Sequence, residues 1–214
     1  MKDNHAITAV GIVVILGSVW GLSECVLGAA VQACASRISG SVMTGVALFF
    51  MAAAWAVVQK AWCVALLVGI ASLFKMFDAL LLSLPLGNGA ISHPVFAFVL
   101  EGAAFLALAA IAAGTLGRKP AGRAVWGGGA ALISAAAFPL VRTVTGTAAC
   151  LAPGTGIPLA WYYAPLAVGL SAVLVPLGIR AGEKAAGLGF KPRFFEPSLA
   201  VVLALTLMAV ARQF

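Results

Sequence analysis

Five ionisable side chains stand where charge is costly: Glu24, Lys75, Asp78, Glu101 and Arg142 each interrupt a long apolar run. A charged group on an isolated helix in hydrocarbon costs a few kcal/mol or more, so such residues face a bundle interior or a wet cavity. Lys75 and Asp78 are three residues apart and can pair within one helix. Glu24, Glu101 and Arg142 are left to be satisfied across helices. Two arrangements meet that requirement. In one, the charges pair with each other and fix how helices pack. In the other they line a polar pocket, where Arg142 or Lys75 meets an acidic group of a small ligand and Glu24 or Glu101 meets its donors. The pocket is the reading carried forward, with these five residues, Trp20 and His93 as candidate ligand-binding residues. Trp161, Tyr162 and Tyr163 read instead as an aromatic belt at a membrane interface.

Other chemistry finds little support. Cys25, Cys34, Cys63 and Cys150 form no C-x-x-C pair, so neither a redox dithiol nor a zinc site is signalled. No metal site is expected. G-x-S-x-G, H-E-x-x-H and P-loop patterns are missing. The glycine run 127–129 sits in a helical apolar pattern and suits packing better than phosphate. No catalytic residue is assigned and no cofactor is indicated.

These residues must be positioned by membrane helices. The 214-residue chain is 63% hydrophobic and 9% charged, with a mean hydropathy of +1.12. A soluble domain needs roughly a quarter charged residues to cover its surface. The expected fold is therefore all-α, a polytopic transmembrane bundle of six to seven helices in a single integral membrane domain, residues 1–214. A hydrocarbon core needs about 20 apolar residues as helix, and such runs lie near 7–33, 41–58, 61–84, 91–113, 124–145 and 159–178. A shorter seventh run lies near 194–211. The first run carries Glu24 and only Lys2 as a basic residue ahead of it, so it is expected to be a retained helix rather than a cleaved signal peptide.

Loop charge sets the direction. With the N-terminus in the cytoplasm, Lys2, Lys60, Arg118, Lys119, Arg123, Arg180, Lys184, Lys191 and Arg193 fall inside, against Arg37 and Arg212 outside. That asymmetry is the positive-inside pattern. It also accounts for the net charge of +7 without nucleic acid, which is not expected as a partner. In this orientation all five buried charges lie from the midplane outward. Cys34 and Cys150 both reach the outer face, where a disulfide between them is expected; Cys25 and Cys63 read as packing residues. His5 and His93 lie on opposite sides, which argues against paired-histidine haem ligation.

Two segments carry a likeness to a known family: Trp20-Gly21-Leu22-Ser23-Glu24-Cys25-Val26-Leu27-Gly28 and Phe96-Ala97-Phe98-Val99-Leu100-Glu101-Gly102. In a small multi-span protein they resemble the substrate-binding (S) components of energy-coupling-factor transporters. The resemblance implies a compact bundle in a bacterial cytoplasmic (inner) membrane that takes a vitamin-like compound or a metal ion from outside. It also implies docking onto a membrane coupling subunit driven by two ATPases, through small residues on the first helix, to which Ala29 and Ala33 correspond best. S components typically have six helices with both ends inside, so a seventh span is a departure. The expected function is capture of a small polar or charged solute at the outer face. The alternatives are a non-catalytic subunit of a larger membrane complex, and a membrane enzyme or redox protein using Glu24, Cys25 and Glu101.

Overall fold

The structure is a computed structural model that describes residues 2–29, 37–116, 119–148, 150–187 and 195–211. It is an all-α bundle: α1 (Lys2–Ala29), α2 (Arg37–Val58), α3 (Ala61–Leu81), α4 (Gly89–Leu116), α5 (Pro120–Ala137), α6 (Val141–Thr145), α7 (Leu159–Gly187) and α8 (Phe195–Ala211). A 3₁₀ turn, Phe138–Leu140, joins α5 to α6, so the eight segments make seven rods. Among the described residues five rods are long and apolar enough to cross a membrane: Ile38–Val58, Ala61–Leu81, Gly89–Ile111, Pro120–Thr145 and Leu159–Gly187. The apolar stretches Ala9–Cys25 and Pro197–Ala209 are shorter. Leu73, Leu80, Val99, Ile111, Val173 and Val202 stand exposed on the outside of the bundle, the surface that lipid requires.

The α2–α3 connection is short, whereas residues 146–158 separate α6 from α7. Between α2 and α3 only Gln59 and Lys60 intervene, with Gln59 at φ 52° to turn the chain. Gly146 at φ 73° ends α6. The segment after it folds back on itself, Ala152 N–H donating to Ile157 O at 2.9 Å and Leu159 N–H to Cys150 O at 2.8 Å.

Glycines decide which helices touch. On α7, Gly178 and Gly182 are four residues apart and share one face. A Cβ at Gly178 would strike the Phe49 carbonyl, and one at Gly182 the Ala53 carbonyl, both on α2. The two helices run parallel, since Gly40 meets Tyr163 at the other end of the same seam. On an adjoining flank of the same buried face of α7, Gly127 of α5 lies against the Ser171 carbonyl, in an antiparallel pairing. Lipid supplies no hydrophobic force between helices, so close backbone approach of this kind holds them by dispersion. α7 also runs past the expected end at 178 because Ile179 and Gly182 continue its buried face. On α1, Gly17 and Gly21 receive the side chains of Ile70 and Phe74 from α3. α8 packs on α1 and α3, with Met208 and Ala204 buried against Cys25 and Phe74.

Gly182→Val should lower the thermal unfolding midpoint in detergent, by about 1–3 kcal/mol of overpacking. Gly169→Val, where a Cβ meets nothing within 4 Å, should leave the midpoint near wild type. Equal effects at the two positions would remove the seam from the account.

Candidate functional site

Four of the five charged residues are buried in the half of the bundle next to the α3–α4 connection. Lys75 sits one turn before Asp78 on α3, and its Nζ lies 3.0 Å from Asp78 Oδ2, with the two side chains 7% and 1% exposed. The spacing alone places them together. α1 lies alongside in the same direction, and the Cys25 thiol donates to Asp78 Oδ1 at 3.6 Å. One turn apart on α1, Trp20 Nε1 donates to Glu24 Oε1 at 3.1 Å. The second carboxyl oxygen of Glu24 is buried without a hydrogen-bond partner.

Glu101 belongs to a second centre. It lies on α4, about 18 Å along the helix from Gly89, and is 4% exposed. The Thr44 hydroxyl on α2 hydrogen-bonds it. It faces a narrow recess whose polar walls are Thr44, Ser134 on α5 and Tyr163 on α7, completed by Ala97, Ala135 and Phe138. The recess has room for about one water molecule. The two centres touch through Trp20, whose ring meets Phe98 edge-on at 4.9 Å; Phe98 lies one turn before Glu101.

Two expected members lie elsewhere. Arg142 is exposed on α6, away from the buried carboxyls. On an unbroken helix it would share the inward face of Ala135, seven residues earlier. Pro139 instead makes a 3₁₀ turn, which overwinds the rod to about 3.0 residues per turn and gives the inward position to Val141. His93 stands behind the recess rather than in it. Its ring packs edge-on to Phe138 at 6.0 Å and bonds the backbone of Ala148, while its Nε2 is buried without a partner.

Of the three belt aromatics, Trp161 and Tyr162 are exposed, as a belt requires, but Tyr163 turns inward to line the recess. Trp20, expected at a pocket wall, is fully buried and holds Glu24. Thr44 and Ser134 are not among the residues that the sequence marks for a pocket. The only signal was that Thr44 and Ser134 are isolated hydroxyls in apolar helices, and such residues usually just bond the preceding turn.

Below Glu101 the core becomes aromatic. Phe105 and Trp126 stack at 4.7 Å, Trp126 Nε1 donates to the Phe105 carbonyl at 3.1 Å, and Trp55 meets both rings edge-on. At that end of the bundle Arg123 grips Glu183 with two hydrogen bonds, 2.6 and 3.2 Å.

Cys150 is disulfide-bonded, whereas Cys63 is a buried thiol and Cys25 takes no disulfide. Ala33 and Cys34 lie outside the described residues. Among the described residues no group of three His, Cys, Asp or Glu side chains is placed to hold a metal ion.

Fold and site together define a polytopic membrane protein of helical architecture. No family model matches the chain, and neither a curated protein nor a solved structure matches it.

Lys75→Met should destabilise the bundle by about 3–5 kcal/mol, because Asp78 is left buried without its partner. Lys75→Met combined with Asp78→Leu should recover much of that loss, read as thermal stability in detergent. Peptide mapping of protein kept oxidised should recover Cys34 and Cys150 in one cross-linked pair; finding both as alkylated thiols would remove that bridge.

Proposed function

We propose that the protein is a membrane-embedded binding protein that captures a small polar or charged solute in the recess beside Glu101. The observation that carries this reading is a carboxyl buried at mid-bundle, facing a polar recess instead of a basic side chain. A group whose only task was to fix packing would be expected to have an ionic partner, as Asp78 has in Lys75. In the orientation favoured by the basic residues Lys60, Lys119, Arg123, Arg180 and Lys184, the recess is at the outer side and the aromatic stack at the cytoplasmic side.

The likeness of the Glu24 and Glu101 segments to substrate-binding components of energy-coupling-factor transporters agrees with such a role. The seventh rod departs from their six-helix plan: α8 packs against α1, the helix by which those components dock. The proposal is accordingly solute capture, with docking on a coupling subunit as one way of completing transport.

Copurification from native membranes in mild detergent tests it. Wild-type protein should release a small solute on denaturation, and Glu101→Gln should retain roughly 10-fold less or lower while melting as a folded bundle. Arg142→Ala, on an exposed position, should match wild type in both respects. Stable recovery with other subunits and no solute would replace this reading with that of a structural subunit.

A further inference from the structure

The recess beside Glu101 is lined by three hydroxyl-bearing residues, Thr44, Ser134 and Tyr163, and by Glu101 itself. All four come from different helices, α2, α5, α7 and α4. We infer that this hollow binds a single monovalent hard cation of the Na⁺ class; the inference rests on the binding reading above and names the solute.

Three lines of argument converge. The first is charge. Among the described residues the buried Asp, Glu, Lys and Arg side chains are three carboxyls, Glu24, Asp78 and Glu101, and one ammonium, Lys75. Lys75 lies against Asp78, so the buried carboxyls outnumber the buried ammonium, and no basic side chain lines the recess that Glu101 faces. A small cation beside Glu101 relieves that imbalance. The second is donor chemistry. Carboxyl and hydroxyl oxygens suit hard cations, whereas soft metals select thiolate and imidazole, and neither cysteine nor histidine lines the hollow. The third is size. Space for about one water admits a dehydrated monovalent ion. It does not admit Mg²⁺ with the waters it keeps, and a single carboxyl is poor in charge for a Ca²⁺ site of 6–8 oxygens. An anion is disfavoured by the Glu101 carboxyl.

Ser134 keeps its hydroxyl oxygen available. It donates its proton to the Ala131 carbonyl at 3.1 Å, which leaves the oxygen lone pairs free to accept a cation. The depth is also suited to an ion. Glu101 lies near the middle of its rod, with the recess on one side and Phe105 directly below on the same helix. Phe105 is fully buried, so an ion reaches the site from one direction.

Thermal unfolding of the full chain in detergent, titrated with NaCl or with choline chloride at matched ionic strength, tests the inference. NaCl should raise the midpoint by several degrees and saturate, as binding to the folded state requires, and choline chloride should not. Glu101→Gln should abolish the Na⁺ response, and Ser134→Ala should move the half-effect to several-fold higher NaCl. Ser134→Ala keeps the test open if Glu101→Gln does not fold. Equilibrium binding of ²²Na⁺ should give one ion per chain. Equal responses to the two salts, or a Ser134→Ala protein with an unchanged half-effect and a Glu101→Gln protein that still responds, would overturn the cation. If Na⁺ is without effect but wild-type protein carries a Glu101-dependent solute, the cation inference falls and the binding reading stands. If neither is found, both fall.

Discussion

The bundle depends on how closely α7 approaches its neighbours. In water, apolar faces drive helices together; in lipid the surroundings are as apolar as the faces, and only close packing and hydrogen bonds distinguish one neighbour from another. Gly178 and Gly182 bring the backbone of α7 against the Phe49 and Ala53 carbonyls, and Gly127 brings α5 against an adjoining flank of the same face at Ser171. One face of α7 thereby meets both α2 and α5. That three-helix contact is what brings Tyr163, Thr44 and Ser134 around one hollow, since each is carried by a different member of the trio. The polar walls of the recess are thus a consequence of glycine spacing nearer the other end of the helices.

Within this frame the two ends of the bundle have different chemistry. Toward the α3–α4 connection, carboxyls, hydroxyls and one lysine are buried between helices. Toward the opposite end, Trp55, Phe105 and Trp126 fill the core, and the charges stay at the surface, where Arg123 meets Glu183. Each buried charge is handled differently. Asp78 has an ammonium within its own helix, Glu24 has an indole N–H for one oxygen, and Glu101 has the Thr44 hydroxyl and a recess. The differences follow from what each neighbouring helix offers: α3 carries its own lysine, while α4 carries no basic residue near Glu101.

Much of this was legible in the sequence. Apolar runs of about 20 residues are dictated by bilayer thickness, and the rods follow them closely. The Lys75–Asp78 pair follows from a three-residue spacing that every helix converts into adjacency. What was not legible depends on the rotation of one rod against another. Arg142 shares a face with Ala135 on an ideal helix, and only the 3₁₀ turn at Pro139 moves it outward. Trp161, Tyr162 and Tyr163 are consecutive and of one chemical kind, so composition treats them alike. A helix advances about 100° per residue, and the docking of α7 decides that Tyr163 faces in. Thr44 and Ser134 are single hydroxyls among many small residues, and nothing in their local pattern announces that they meet.

The stack of Phe105 on Trp126 carries a consequence for permeation. Its rings lie face to face, and the Trp126 indole is tied to the Phe105 carbonyl, so the core beneath the recess is filled there by aromatic surface that offers water little to bond. Water or an ion entering this part of the core would meet apolar ring faces rather than hydrogen-bonding groups. Carrying anything through would require work done on the rods themselves, tilting or parting them far enough to unstack the aromatics.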